Sequence, residues 1–445
     1  MKPLPESFVE RIKSQYPNEH SVFLESFDRP VFHSVHRHPR KGEFLFEGME
    51  AVPWWDGGFY LKERPVFTLD PLFHAGAYYS QESSSMFVGQ LAAEIAQGRE
   101  GLRVLDLCAA PGGKSILLSE VIGSSGLLVS NEISNTRNVI LRENLTKWGA
   151  ENVVVTCNDP KAFEALEGFF DIVLVDAPCS GEGMFRKDET AREEWSPANV
   201  MMCAERQEDI LEYAMMAVKP GGHLIYSTCT FSHEENDQQC KRMAQAPGWS
   251  GVFFKKNFDT VVRDEFADYE CYRFLPHHVR GEGFFAAVFT KGEAQEFRLP
   301  KRIQQDWYRS LTAAEKGSLS KIAFREAVIN KRNEVFDIPC SPDLLSYLVQ
   351  HFIVTKAGVA LGELIRNELI PAHDVAMTLR NLDYPRIEVD RDLALNYLRR
   401  EEIKIESPTQ GWAILTYSGI NLGWVKTLKN RINNYYPKEW KIRMV

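Results

Sequence analysis

The sequence predicts an α/β fold: a mostly parallel sheet covered by helices, preceded by an α+β module and followed by C-terminal helical and β-rich modules. Two observations predict it. From Leu102 onward, short β-branched or Leu-rich runs alternate with amphipathic stretches, the order that builds a parallel sheet with crossover helices. Two of those runs end in Asp176-Ala-Pro-Cys and Thr228-Cys-Thr, reactive residues at the strand ends where open α/β sheets bind ligands. The 445 residues, 44% hydrophobic and 25% charged, suffice for several packed domains and exclude disordered, fibrous and repeat architectures.

The first 95 or so residues mix aromatics and prolines and end in Tyr78-Tyr-Ser-Gln-Glu-Ser-Ser-Ser-Met, after which the pattern changes. Strands are predicted over 102–107, 127–131, 153–156, 171–176 and 223–227, with helical patterns between most of them. Residues 199–218 carry apolar side chains at helical spacing and stop at Lys219-Pro-Gly-Gly. A last strand over 284–290 precedes a polar linker over 291–300. Beyond it a helical region is expected to about residue 380, then a helix over 390–400 and a β-rich end containing Trp412-Ala-Ile-Leu-Thr-Tyr and Leu422-Gly-Trp-Val-Lys.

No run approaches the roughly 18 apolar residues that a spanning helix requires, and the N-terminus has no apolar signal core, so a cytoplasmic protein is expected. The eight cysteines form no C-x-x-C pair, which argues against zinc ribbons and redox motifs. Net charge is -9, unlike a protein that coats nucleic acid indiscriminately. Basic residues nevertheless gather toward the C-terminus: nine Lys/Arg against three Asp/Glu over 298–332, and six against one over 408–445. Solvated helical faces and nucleic-acid contacts both fit such patches.

The first strand runs into Cys108-Ala109-Ala110-Pro111-Gly112-Gly113-Lys114-Ser and then a helix, an order that lets a ligand approach backbone and helix N-terminus. Glu132, at the end of the second strand, can accept both hydroxyls of an adenosine ribose. G-x-G-x-x-G and G-x-x-x-x-G-K-[ST] are both absent, which removes dinucleotide and nucleotide-triphosphate binding. S-adenosylmethionine, with no phosphates to cradle and one ribose to clamp, fits what remains.

Cys179 and Cys229 each follow a strand of the same sheet. If those strands are neighbours, both thiols and Asp176 converge. Two thiols and a carboxyl group beside a methyl donor suit C5 methylation of cytosine. A thiolate adding to C6 makes C5 electron-rich, an acid at N3 assists, and a second group helps release the product. The base must leave its stack to be reached.

Cys108 to Lys114, Asp176-Ala-Pro-Cys-Ser-Gly-Glu-Gly and Tyr226-Ser-Thr-Cys-Thr-Phe resemble, in order and each at a strand end, the signature motifs of the Sun/Nop family of RNA cytosine-C5 methyltransferases. The resemblance implies a Rossmann-like S-adenosylmethionine methyltransferase core. It makes Cys229 the nucleophile, Cys179 the helper in proton removal and release, and Asp176 the contact to N3. Lys114 would lie near the base and the sulfonium, Glu132 on the ribose with Arg137 beside it, and Asp159 on the adenine side.

Gln81-Glu-Ser-Ser-Ser, Pro276-His-His-Val-Arg-Gly-Glu-Gly-Phe-Phe, Leu422-Gly-Trp-Val-Lys and Lys429-Asn-Arg-Ile-Asn-Asn-Tyr-Tyr-Pro look like the bacterial RsmF-like branch. That branch modifies small-subunit (16S) ribosomal RNA, free or within the small ribosomal subunit or its assembly intermediate, and carries a PUA-like domain. Asn158-Asp-Pro-Lys departs from it, since a glycine often follows the aspartate. The implied division is 1–95, an N-terminal RNA-binding or substrate module; 96–291, the catalytic domain; 292–385, a linker and first C-terminal domain; and 386–445, a PUA-like RNA-binding domain.

His33, His36 and His38 lie close together, but no cysteine or carboxylate pattern completes a metal site, so no metal is expected and the segment reads as a surface or RNA-facing loop. Cys157, Cys203, Cys240, Cys271 and Cys340 are expected to be structural, and Trp54-Trp55 to be core. The rivals are a DNA cytosine-C5 methyltransferase, in which Cys179 would attack and Cys229 would be superfluous, a tRNA cytosine-C5 methyltransferase, and a non-catalytic ribosome assembly factor retaining the fold.

Overall fold

Runs such as Leu127–Asn131 and Val153–Thr156, apolar on both faces, can only be buried strands, and they form the centre of a ten-stranded sheet. The computed structural model describes residues 2–304, 307–404 and 410–444. Met1, Asp306, Pro408 and Val445, which fall at module ends or within the basic stretches, lie outside the described residues. In spatial order the sheet contains Val262–Glu265, Glu270–Phe274, Phe284–Lys291, Val218–Thr228, Phe170–Asp176, Arg103–Asp106, Leu127–Asn131, Val153–Thr156 and Val354–Ala357. A tenth strand, Trp249–Gly251, pairs beside 284–291.

The five strands from 218–228 to 153–156 run parallel, and the outer ones are antiparallel. The order reverses at 103–106, whose chain successor lies on one side and the 170–176 strand on the other. Helices Phe87–Ala96, Gly113–Ile122 and Asn135–Trp148 bury Leu91, Ile116, Leu117 and Leu141 on one face. Helices Pro197–Ala217 and Pro342–His351 bury Leu211, Ala214 and Leu348 on the other. No helix among the described residues is long and apolar enough to cross a membrane.

The N-terminal segment forms helix Glu6–Gln15 and a three-stranded antiparallel sheet of His33–Arg37, Gly58–Leu61 and Tyr78–Ser80. This corrects the histidine reading. His36 and His38 belong to a strand and the turn after it, are almost fully buried, and pack at a tilt against Trp148 with ring centroids 4.8 and 4.6 Å apart. Trp54 is core, and Trp55 packs against that core, as expected. Cys157, Cys203, Cys240 and Cys271 are buried, and Cys340 is half-buried.

The region up to residue 380, expected to be helical, mixes strands with the helices Ala313–Ser318, Pro342–His351 and His373–Met377. Tyr308–Ser310, Ala327–Asn330, Glu334–Asp337, Val359–Ile365 and Glu368–Pro371 make a five-stranded antiparallel sheet. Four of the five strands are only three or four residues long, too short to show the two-residue alternation, and the two tight turns, 330 to 334 and 365 to 368, pass through Asn333, Arg366 and Asn367 at positive φ. The chain then forms helix Arg391–Leu398, N-capped by Asp390, and a sheet of Arg386–Glu388, Gly411–Tyr417, Ile420–Leu428 and Arg431–Asn434.

Candidate active site

The reversal of strand order at 103–106 opens a crevice at the carboxyl ends of the strands, and the predicted reactive residues gather there. Strands 170–176 and 218–228 are direct neighbours, with Asp176 opposite Ser227. The loops that follow bring Cys179 Sγ to 3.1 Å from Cys229 Sγ, and Cys229 N–H points at Cys179 Sγ at 3.4 Å. Both cysteines are free and half-buried. The Cys179 thiol is held well above its ordinary pKa, first by its hydrogen bond to Cys229 and then by burial. The contact and burial together favour the protonated Cys179 thiol, and between the two sulfurs either can be the donor.

Asp176 lies beside them, fully hydrogen-bonded. Lys114 Nζ donates to its Oδ2 at 2.7 Å and Ser227 Oγ to its Oδ1 at 2.8 Å. Burial disfavours the Lys114 charge, yet Asp176 beside it raises the ammonium above its usual range. Lys114 also stands 5.4 Å above the Phe284 ring.

The 108–114 segment wraps the start of helix 113–122. Ala109 N–H is tied to Asn131 O at 2.8 Å, Asn144 Nδ2 donates to Pro111 O, and the Ala110–Pro111 bond is cis. Gly112 precedes the helix at φ 117°, a conformation that side chains other than glycine strain to adopt. Glu132, 3% exposed, accepts Ser134 N–H on Oε1, and its Oε2 is 3.4 Å from Arg137, which also donates to Ala110 O. Burial pushes the Cys108 thiol strongly up, with Asp106 adding to the effect, so it is an inert lining residue.

Two clusters thus form, one of Lys114, Asp176, Cys179 and Cys229, the other of Ala110, Glu132 and Arg137. Asp159 joins neither: it is exposed, and its carboxylate accepts Lys161 N–H to cap the turn Pro160–Leu166.

Three family descriptions match the chain: N-terminal domain of 16S rRNA methyltransferase RsmF over 4–83, 16S rRNA methyltransferase RsmB/F over 93–290, and methyltransferase RsmF PUA domain over 384–442. Ribosomal RNA small subunit methyltransferase F of Vibrio vulnificus (strain YJ016) is 30% identical over 98% of this chain and 97% of its own. The chain belongs to the ribosomal RNA small subunit methyltransferase F family. The family member from Shewanella loihica is 30% identical over 88% of this chain and 83% of its own. Among solved structures, a methyltransferase homolog protein from Pyrococcus horikoshii superposes at TM-score 0.55 with 24% identity, covering 64% of this chain and 95% of that one. NSun6 from the same organism gives 0.54 at 19% identity, over 65% and 99%. Both share the fold.

Sequence reasoning missed the residues that hold this methyltransferase F family site in shape. Glu235, after Cys229, accepts Ser180 N–H at 2.9 Å, Ser180 Oγ–H, and the Gln207 side-chain amide at 3.0 Å, clamping the two cysteine loops together. Gly183 N–H donates to Cys229 O at 2.8 Å, and a Cβ on Gly183 would lie 2.6 Å from Gly283 O, so only glycine permits this approach. The fully buried Glu182 accepts Trp195 Nε1 and Phe231 N–H. Asp106 is fully buried: Ser115 Oγ donates to Oδ2 at 2.7 Å, and Oδ1 has no hydrogen-bond partner among the described residues. Its position before the glycine-containing turn was the available signal.

Proposed function

We propose that this chain is a cytoplasmic S-adenosylmethionine-dependent RNA (cytosine-C5)-methyltransferase acting on cytidine in small-subunit ribosomal RNA, free or in the small ribosomal subunit or its assembly intermediate. The observation that carries the reading is the pair of thiols 3.1 Å apart beside a carboxyl group fixed by Lys114 and Ser227. A single-cysteine mechanism has no use for the second thiol at that distance.

The residues suit the cofactor. Glu132 offers a carboxylate to a ribose, the turn from Cys108 through Ala109, Ala110, Pro111, Gly112 and Gly113 is tied to it through Arg137, and Asp106 Oδ1 is, among the described residues, a buried acceptor without a donor, of the kind a cationic amino-acid end completes. Arg137 steadies both the turn and Glu132. Asp159 remains an adenine-side candidate by position alone. When bound, S-adenosylmethionine supplies an electrophilic methyl group.

Cys229 bonds C6 of the flipped cytosine and gives up its thiol proton, which passes by way of Asp176 to N3, while the electron pair of the C5–C6 double bond moves toward C5. Lys114 holds Asp176 in place and adds positive charge near the ring. After C5 is methylated, Cys179, its own proton passed to solvent, takes the C5 proton; the C5–C6 double bond re-forms as the C6–Sγ bond breaks, and the Cys229 sulfur leaves and takes back the proton from N3. In this reading residues 1–95, 292–385 and 386–445 present RNA to the 96–291 catalytic domain.

The test incubates wild type, Cys179→Ala and Cys229→Ala with S-adenosylmethionine and small-subunit ribosomal RNA, followed by a denaturing gel. An adduct that accumulates with Cys179→Ala and is absent with Cys229→Ala is the expected result. The reverse pattern exchanges the roles of the thiols. Adduct formation on tRNA alone replaces the substrate, and no adduct with any RNA supports a non-catalytic assembly factor.

A further inference from the structure

Next to the reaction centre lies a second cleft, of about 740 Å³, lined by Phe32, His33, Arg64 and Gln81 on one side of the chain and by Met184 and Lys187 on the other. It abuts the site at two places. Gln81 touches the cofactor turn, since a Cβ on Gly113 would lie 3.3 Å from Gln81 Cδ. Met184 follows Gly183, whose N–H is bonded to the carbonyl of Cys229.

Three basic and three acidic side chains line the cleft, and the acids are each held by partners within the protein. Glu282 is ion-paired with Arg186 at 3.1 Å. The Glu82 carboxylate accepts three backbone N–H groups, those of Ser84, Ser85 and Glu282, at 2.8–2.9 Å. Asp188 accepts Thr190 N–H as the N-cap of helix Glu189–Glu194. Arg64 and Lys187, by contrast, form no ion pair among the described residues. Both reach the cleft: His33 is held below its ordinary pKa by burial first, and then by the charges of Arg64 and Lys187. Phe32 stands 38% exposed at the edge, braced by Arg280 with its guanidinium carbon 5.1 Å from the ring centroid.

Beside a base-flipping site, an aromatic surface and two cations without a carboxylate partner among the described residues, Arg64 resting over the Phe67 ring at 5.8 Å, are the elements of a single-strand binding groove. Flipping a cytidine unstacks its neighbours, and a ring that accepts one of them offsets that cost. We propose that this cleft holds the RNA nucleotides flanking the target cytidine, one base resting on Phe32 and the adjoining phosphates on Arg64 and Lys187. The proposal rests on the RNA reading above and gives that site its strand path.

The test measures binding of a short fluorescein-labelled single-stranded RNA containing one cytidine to the full chain by anisotropy at several salt concentrations. Methylation of small-subunit ribosomal RNA is assayed in parallel. Phe32→Ala is expected to weaken binding about five- to a hundredfold, and Phe32→Trp to restore it. Arg64→Ala with Lys187→Ala lowers the salt slope by about 1.4, two phosphates' worth for a single strand. Lys241→Ala, which removes an exposed cation outside the cleft, leaves affinity and slope unchanged. Variants with wild-type melting temperatures that bind RNA like wild type overturn the cleft assignment. If the variants weaken binding as expected while wild type makes no 5-methylcytidine, the cleft stands and the reading of the reaction fails.

Discussion

His38 sits at the end of a buried strand as a hydrogen-bond acceptor: its Nδ1 receives the backbone N–H groups of Arg40 and Lys41 at 3.1 and 3.0 Å. A protonated imidazole has no lone pair to receive them. Burial, together with the charges of Lys41 and Arg40, pushes its pKa down to about 2. A pKa lowered by folding gives stability that is present above the unfolded value near 6.5 and is lost as pH falls below it. The loss from this one group is about 1.4 kcal/mol per pH unit. His38→Asn, which keeps a side-chain acceptor but does not titrate, is expected to flatten the fall in stability between pH 6.5 and 5 by that slope, read by urea denaturation at each pH. Equal slopes in both proteins would remove His38 from the acid response.

The same scale shows what a single residue reveals before its neighbours are known. Cys179, Cys229 and Asp176 were legible because each ends an apolar run, and the chemistry of a cysteine at a sheet edge is narrow. Glu235 and Asp106 were not, because a carboxylate becomes a clamp or a buried acceptor only through partners from distant segments. Asp159 is a candidate by sequence position alone, since the one bond its carboxylate makes among the described residues is a local cap at Lys161 N–H.

At the scale of elements, the loops after strands 170–176 and 218–228 act as one unit because Glu235 spans them. Glu235→Ala leaves Ser180 N–H buried without its acceptor and removes one of the partners of Ser180 Oγ and of the Gln207 amide. It is expected to cost on the order of 3 kcal/mol in urea denaturation and to slow adduct formation, since the spacing of the two thiols is no longer held. A loss below about 1 kcal/mol would mean that water replaces the carboxylate without consequence. Which elements the sequence discloses follows from their length and surroundings. The strands 127–131 and 153–156 appeared at their observed bounds because doubly covered parallel strands are apolar throughout. The four-residue strands 327–330 and 334–337, each with mixed burial or charged ends, carry too few alternations to be told from helix. Asn333 and Asn367, both at positive φ, were the turn signals available there.

At the scale of the whole molecule, the central sheet is not closed by the segment that supplies its chemistry. Strand 354–357 caps the edge at 153–156, and the helix before it lays Tyr347 and Leu348 on the core, with Phe352 just beyond. A chain ended after Pro300 loses the burial of those three side chains, each about 1.5–3 kcal/mol, and is left with a bare strand edge. It is expected to melt roughly 10 °C or more below the full chain, or to aggregate, by thermal denaturation and size-exclusion chromatography. A monomeric fragment with unchanged melting temperature would make the annexed strand ornamental. The annexation also sets a clock. Thr355 and Val155 meet across 200 residues of chain, and translation at about 5–20 residues per second separates their emergence by roughly 10–40 seconds. During that interval the nascent polypeptide carries both thiols and the cofactor turn on a sheet with an open border. Completion of the enzyme is thereby tied to completion of its own synthesis.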